Sequence, residues 1–136
     1  MRAHIRIRRI ERPFEKDLER DLDWLCSTFG FCEPGSPEST ASRIFREIIK
    51  ETQKDQGITS TKLAREVEMS RGAVVNHLNN LIEAGLITKQ GTHYQLRSGN
   101  LHRTIREIER DMMRVFEDLE TMADEIDKQL GFKRRE

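Results

Sequence analysis

The chain has 136 residues, of which 35% are apolar and 35% are charged, with 24 basic and 24 acidic side chains. This length fits one domain with an appended helix, and the low apolar fraction predicts a small core or an apolar surface that a second subunit covers. No apolar run approaches the length of a membrane span, and none follows the N-terminal arginines as in a secretory signal. Two cysteines are too few for a disulfide scaffold, so we expect a cytoplasmic protein without membrane contact.

The net charge is zero, but the charge is distributed unevenly along the chain. Residues 1–13 sum to +4 and residues 14–38 to −5, whereas residues 39–57, 58–100 and 101–136 sum to +1, +2 and −2. A neutral total argues weakly against a nucleic-acid-binding protein, because such domains are usually basic. The local excesses matter more, because salt screens charges beyond about 10 Å at 0.1 M.

The N-terminal 38 residues form the first predicted unit. Residues 4–8 alternate polar and apolar, which fits a short strand or an unstructured arm. Pro13 suits the first turn of a helix that ends at Gly30, and a loop at residues 33–37 follows. The apolar positions of this helix are Phe14, Leu18, Leu22, Leu25 and Phe29.

Two features of this unit have alternative interpretations. The arm contains five arginines that either follow DNA phosphates or pair with acidic residues of this protein. These arginines are Arg2, Arg6, Arg8, Arg9 and Arg12. The cysteines Cys26 and Cys32 are either small buried hydrophobes, which we favour, or a metal or redox site.

Residues 39–100 form the second unit. A helix is predicted from Ser39 or Thr40 to about Asp55, and Gly57 ends it. Thr59 and Ser60 are N-cap types for a short helix that follows. The inward positions of these two helices are Ile44, Phe45, Ile48 and Ile49, and then Leu63, Ala64 and Val67.

A third helix is predicted over residues 71–84, with Ser70 as its N-cap after a three-residue turn. Two short strands, residues 86–88 and 93–96, surround residues 89–92 and make a β-hairpin with a glycine at its tip. This order of helix, short helix, turn, helix and hairpin is that of a winged helix-turn-helix.

Three stretches carry a resemblance to a known family: Thr61-Lys62-Leu63-Ala64-Arg65-Glu66-Val67, the run Ser70-Arg71-Gly72-Ala73-Val74-Val75-Asn76-His77-Leu78, and Leu81-Ile82-Glu83-Ala84-Gly85-Leu86-Ile87. Residues 77–86, with the pattern His-Leu-x-x-Leu-x-x-x-Gly-Leu, are the most specific part. Residues 40–97 resemble the ArsR/MarR-type winged helix-turn-helix transcriptional regulators, archaeal ones in particular. The resemblance implies a winged-helix fold and DNA binding. The long C-terminal helix resembles the dimerisation helices of such regulators.

The predicted third helix has an exposed face that suits the major groove. At 100° per residue this face holds Val75, Asn76 and Asn79. Asn pairs bidentately with adenine, and Val contacts a thymine methyl. Arg71 lies at the edge, in reach of phosphate or guanine, and Ser70 lies at the helix N-terminus, which favours a phosphate. The alternative is that the asparagines form only a solvated face.

The remaining candidates are polar residues near this helix. Lys89 and His93 in the hairpin are candidates for phosphate or minor-groove contact. His77 points between core and solvent, which suits packing or a phosphate contact better than a metal ligand. The sequence contains no recognisable metal cluster, phosphate-binding glycine loop or nucleophile set. We therefore expect no catalytic residues, no metal site and no cofactor.

Residues 101–136 form the third unit and contain the strongest periodic signal. Apolar residues recur over residues 101–130 with alternating steps of four and three, which is a heptad seam. The seam positions are Leu101, Ile105, Ile108, Met112, Val115, Leu119, Met122 and Ile126. The seam predicts a homodimer, and the alternative is that the helix folds back on its own domain. Phe116 and Ala123 widen the stripe and predict contact with a third element, for which the N-terminal helix is the candidate.

The sequence therefore predicts a mostly α-helical fold with a small β-hairpin wing. Its parts are an arm and amphipathic helix at residues 1–38, a winged helix-turn-helix at residues 39–100 and a dimerisation helix at residues 101–136. The predicted function is a non-enzymatic, nucleoid-associated transcriptional regulator that binds double-stranded DNA as a homodimer through residues 71–84. The alternatives are a winged-helix protein-interaction scaffold without DNA binding, and a metal- or ligand-responsive sensor.

Overall fold

The computed structural model describes residues 7–30, 39–54 and 56–133. Within them the fold is mostly helical, with a small antiparallel sheet and a long C-terminal helix, as predicted. The elements in chain order are α1 Leu18–Thr28, α2 Thr40–Gln53, β1 Ile58–Thr59, α3 Ser60–Val67, α4 Arg71–Glu83, β2 Ile87–Gln90, β3 His93–Leu96 and α5 Leu101–Leu130. None of the described helices is both long and apolar enough to span a lipid bilayer.

Each of these helices begins after a residue whose side-chain oxygen accepts a hydrogen bond from a backbone N–H near the start of the helix, which satisfies a donor that the helix itself leaves unpaired. The caps are Asp17, Ser39, Thr59, Ser70 and Asn100. The predicted helix start at Pro13 is wrong. The helix begins instead at Leu18, because the Asp17 carboxylate accepts from the Glu19 backbone N–H at 3.0 Å. Phe14 lies outside the helix.

The sheet has the strand order β1-β3-β2. Ile58, for which no strand was predicted, pairs with Tyr94 of β3 and adds a third strand. Gly57 precedes it with a φ of +68°, and a Cβ there would lie 2.8 Å from the Tyr94 carbonyl oxygen. Glycine is therefore needed for this approach. The predicted wing strand at residues 86–88 is shifted, because β2 extends through Lys89 and Gln90.

One hydrophobic core joins residues from α1 to α5. It contains Phe29, Ile44, Phe45, Ile48, Ile58, Leu63, Ala64, Val67, Val74, Leu78, Leu81, Ala84, Leu86, Ile87, Tyr94, Leu96 and Ile108. The hydroxyl of Thr52 is buried beside this core and makes two hydrogen bonds. Thr52 Oγ1 donates to the Ile48 carbonyl at 2.8 Å and accepts from the Leu96 N–H at 3.0 Å. The hydroxyl ties α2 to the wing without leaving a polar atom unpaired.

The start of α5 is fastened to the end of the wing. Thr104 is 0% exposed, and its hydroxyl accepts from the Ser98 N–H at 3.2 Å and donates to the Asn100 carbonyl at 2.7 Å. Arg97 Nη1 lies 2.7 Å from Asp111 Oδ2. The hydrogen bond from Arg97 lowers the pKa of the Asp111 carboxyl, and the same bond raises the pKa of Arg97.

The N-terminal segment runs along α1. The Arg8 N–H donates to the Thr28 carbonyl at 3.1 Å, and Arg8 Nε donates to the Ser27 carbonyl at 3.2 Å. A cation is favourable at a helix C-terminus. Trp24 Nε1 donates to the Ile10 carbonyl at 2.9 Å. In the described part of the arm, Arg8 therefore contacts its own chain. Arg2, Arg6, Cys32 and the predicted loop at residues 33–37 lie outside the described residues.

Candidate nucleic-acid interface

The helix-turn-helix consists of α3, a three-residue turn and α4. Glu68 adopts the left-handed conformation with a φ of 55°, and the Met69 N–H donates to the Ala64 carbonyl at 3.0 Å. A non-glycine residue at positive φ costs free energy, so the surrounding packing must hold the turn. Val67 and Val74, on either side of the turn, are both buried in the core. The relative orientation of the two helices is thereby fixed.

Helix α4 has two chemically different faces. Val74, Leu78 and Leu81 are buried. Asn76 and Asn79 are exposed on the opposite side, and so is Arg71 at the helix start. Val75 and His77 are half-buried at the two edges of the buried face. The buried side and the exposed asparagines agree with the face division expected from the sequence, whereas Val75, expected on the exposed face, is half-buried at its edge. Asparagine side chains are of a type that can contact base edges.

The first turns of α3 and α4 are joined by a hydrogen bond. Arg71 Nε donates to Ser60 Oγ at 3.1 Å, which uses one of the five donors of the guanidinium. Ser70 Oγ accepts from the Ala73 N–H at 3.2 Å and caps α4. Two helix N-termini therefore lie side by side, and helix N-termini favour anions.

The first turn of α3 also belongs to this surface, although no residue of α3 was predicted there. Thr61 and Lys62 are exposed in its first turn. Lys62 Nζ lies 3.4 Å from Oε1 of Glu51, a buried carboxylate that Lys54 also approaches at 3.6 Å. Lys62 is thus held at this surface by an ion pair within the chain. The cap residue Thr59 was the available signal, because residues two and three positions after an N-cap lie in the exposed first turn.

The wing presents a short polar edge. Lys89 and His93 are exposed, and the loop between their strands is the dipeptide Gly91-Thr92. Lys89 Nζ lies 5.6 Å from the centroid of the Tyr94 ring, a cation–π distance that holds the ammonium against the sheet. His93 Nδ1 lies 3.2 Å from Thr92 Oγ1. Lys89 belongs to β2 and not, as predicted, to the loop between the strands, so its backbone is held by pairing with Tyr94.

The candidate seam residues of α5 fall into two groups. Ile108 is buried in the core of its own chain, and Leu101, Ile105 and Met112 are partly buried against that core. The exposed group comprises Val115, Leu119, Met122 and Ile126. Phe116, which the sequence placed against a third element, is 52% exposed. The first half of the helix thus packs on its own domain, and the second half extends beyond it.

Within the part of the chain that the structure describes, no cluster of three or more His, Cys, Asp or Glu side chains is arranged to hold a metal ion. No curated protein and no solved structure matches the chain. Residues 42–88, which run from α2 through α3 and α4 into β2, match a family model described as winged helix-turn-helix DNA-binding. The fold and this match agree that residues 42–88 belong to a winged helix-turn-helix domain.

Proposed function

We propose that the protein is a sequence-specific, homodimeric DNA-binding transcriptional regulator of the ArsR/MarR type and is not an enzyme. The observation that carries the proposal is the exposed polar face of α4, placed beside the first turn of α3 in a domain that matches a DNA-binding family model. If the polar face of α4 were only a solvated surface, the capped N-terminus of α3 would not be needed beside it.

In this function α4 enters the major groove. Asn76 and Asn79 contact base edges there, and Val75 contacts a thymine methyl. Arg71 and the N-terminus that Ser70 caps contact phosphate and set the register of the helix on the duplex. Lys89 and His93 contact the backbone or the adjacent minor groove from the wing.

The homodimer is supported by the second half of α5. Among the large apolar side chains of this half that are about half exposed or more, five share one face of the helix, and a small soluble protein rarely leaves such a face uncovered. They are Val115, Leu119, Met122, Ile126 and Leu130. They lie within about 80° of one another on the helix, so a single partner surface covers them. A two-fold dimer reads a pseudo-palindromic operator with half-sites about one helical turn apart, or a multiple of it.

The test is DNA binding by the full chain as a function of salt. We expect selection from a random duplex library to enrich one pseudo-palindrome, and log K to fall with log[salt] by about 0.9 for each phosphate contact. Arg71→Ala should lower the slope by about 2 per dimer, because each subunit loses one contact. Arg20→Ala removes the same charge from the exposed surface of α1, away from α4 and α5, and serves as the control.

A flat salt response, or no enrichment at low salt, contradicts the proposal and favours the protein-interaction scaffold. Release of bound DNA only when metal or a small ligand is added would instead identify a sensor.

A further inference from the structure

A buried carboxylate lies beneath the surface where α2 ends and α3 begins. Glu51 is 5% exposed, and its Oε1 lies 3.4 Å from Lys62 Nζ and 3.6 Å from Lys54 Nζ. Both lysines reach solvent, because their side chains are 47% and 61% exposed. The desolvation of a buried carboxylate can exceed the gain from its ion pairs, so stability alone is a weak reason for this arrangement.

The charges of these three groups do not balance. Two ammonium groups share one carboxylate, which leaves an excess of one positive charge among them. Because both nitrogens lie within 3.6 Å of the same oxygen, they are no more than about 7 Å apart, a distance that one phosphate spans when its oxygens accept bonds of about 2.8 Å. The pair of lysines therefore has the charge and the spacing to bind one phosphate group.

The backbone on both sides of this ion pair is fixed. The carbonyl of Glu51 accepts from the Lys54 N–H at 3.2 Å and from the Gln56 N–H at 3.4 Å, which closes the end of α2. The Lys62 N–H donates to Thr59 Oγ1 at 3.1 Å, which caps the start of α3. The lysine side chains therefore extend from anchored positions.

The lysine pair also adjoins the helix that is proposed to enter the major groove. Lys62 lies two residues after Ser60 in the first turn of α3, and Ser60 Oγ accepts from Arg71 Nε of α4 at 3.1 Å. A DNA strand that contacts Arg71 therefore runs past the first turn of α3, where the lysine pair lies.

We infer that Glu51 is a positioning residue of the DNA interface: it holds Lys54 and Lys62 together so that both bind one backbone phosphate. The inference rests on the proposed DNA binding and adds a contact from the junction of α2 and α3 to those of α4 and the wing. A lysine side chain loses rotamer freedom when it binds, and the ion pairs with Glu51 remove part of that freedom before the DNA arrives. A phosphate contact carries no sequence information, so the gain applies to every duplex.

Glu51→Gln separates positioning from simple electrostatics, because the two predict opposite signs. The substitution keeps the shape of the side chain and removes a negative charge from the interface, so charge alone would tighten DNA binding. If Glu51 positions the lysines, fluorescence anisotropy with the full chain should show at least about fivefold weaker binding of the operator and of a non-specific duplex. Glu47→Gln is the matched control, since Glu47 lies one turn earlier on α2 and pairs with Lys50. It should not weaken binding.

A double-mutant cycle shows whether Glu51 acts through the lysines. Lys62→Ala leaves Lys54 paired with Glu51, so the buried carboxylate keeps a partner, and it should weaken binding of both duplexes. Lys54→Ala should do the same with Lys62 as the remaining partner. Glu51→Gln should weaken binding less in the Lys62→Ala background than in the wild type. Lys16→Ala removes the same charge from the exposed segment before α1 and should have no effect.

Three results overturn the inference. They are a Glu51→Gln protein that binds as tightly as the wild type or more tightly, an equal effect of Glu51→Gln with and without Lys62, and unchanged binding by both lysine variants. The last result applies whatever the stability of Glu51→Gln. All three leave the proposed function intact, because wild-type binding is measured in the same assay. A wild-type chain that binds no duplex at low salt contradicts the proposed function, and the inference with it.

Discussion

Replacing Asn76 by alanine tests base readout by α4 most directly. A bidentate contact to one base provides about 1–3 kcal/mol of discrimination, and a two-fold dimer makes it twice, so about 2–6 kcal/mol is lost at the preferred operator. The lower limit already corresponds to about a thirtyfold loss of specificity. Asn76 is exposed, and alanine has the higher helix propensity, so the fold should be retained or slightly stabilised.

The assay is fluorescence anisotropy at one salt concentration, with the selected operator and a non-specific duplex. We expect Asn76→Ala to weaken operator binding and to leave non-specific affinity nearly unchanged. Asn80→Ala is the matched control, because Asn80 is also exposed on α4 but lies about 40° further round the helix, away from Asn79. If Asn76→Ala keeps the preferred site and its discrimination while the fold is intact, base readout by this face is refuted. Specificity would then have to come from DNA shape or from the arginine arm.

Three further predictions concern the wing, the dimer and the ion pair between Arg97 and Asp111 at the end of the wing. Lys89→Ala should weaken binding to all duplexes alike and lower the salt slope by about 2 per dimer, as measured by the same titration. Leu119→Asp should raise the dimer dissociation constant, measured by sedimentation equilibrium, at least about thirtyfold, because the two half-exposed leucines of a dimer each lose about 1 kcal/mol of burial. Met113→Asp, which lies off the apolar stripe of α5, should leave this dissociation constant unchanged. Asp111→Asn should lower the free energy of unfolding at pH 7 by at most about 1 kcal/mol, because the Arg97 and Asp111 side chains are 27% and 43% exposed. Because the pKa of Asp111 is lowered in the folded state, this contribution is fully present above the unfolded pKa of about 4 and is lost as the pH falls through the lower folded-state pKa, so denaturation curves of variant and wild type should converge only below that folded-state pKa.

Local signals were sufficient where the chemistry was local. The caps Thr59 and Ser70 and the boundaries of α5 were predicted because N-cap side chains and a long apolar period act within one or two turns. The buried side of α4 was predicted for the same reason. Its partner across the turn was not, because the hydrogen bond from Arg71 to Ser60 joins residues 11 positions apart.

Long-range contacts explain the errors at Ile58 and in α5, and a competing local cap explains the error at Pro13. Strand β1 has only two residues, which is too short to show an alternating pattern in the sequence. It forms because Ile58 pairs with Tyr94 of β3. Pro13 was given a helical role that its residue type allows, yet Asp17 provides the side-chain cap and starts the helix later. The seam of α5 was one continuous pattern in the sequence. The structure divides this seam into a buried and an exposed half. The sequence pattern does not distinguish Ile108, which is buried in the core of its own chain, from Leu119, which is exposed.

The fastening of α5 to the wing has a mechanical consequence. Because Thr104 and Asp111 hold Ser98 and Arg97, the helix and the end of β3 move as one lever. The lever is about 45 Å long, and a rotation of about 10° around its midpoint displaces the wing end by about 4 Å. That displacement exceeds the length of a hydrogen bond to phosphate. Because Ile108 of α5 is buried in the core of the domain, the core moves with the lever, and a small change in the angle at which two such levers cross would change the contacts of the wings with the DNA backbone.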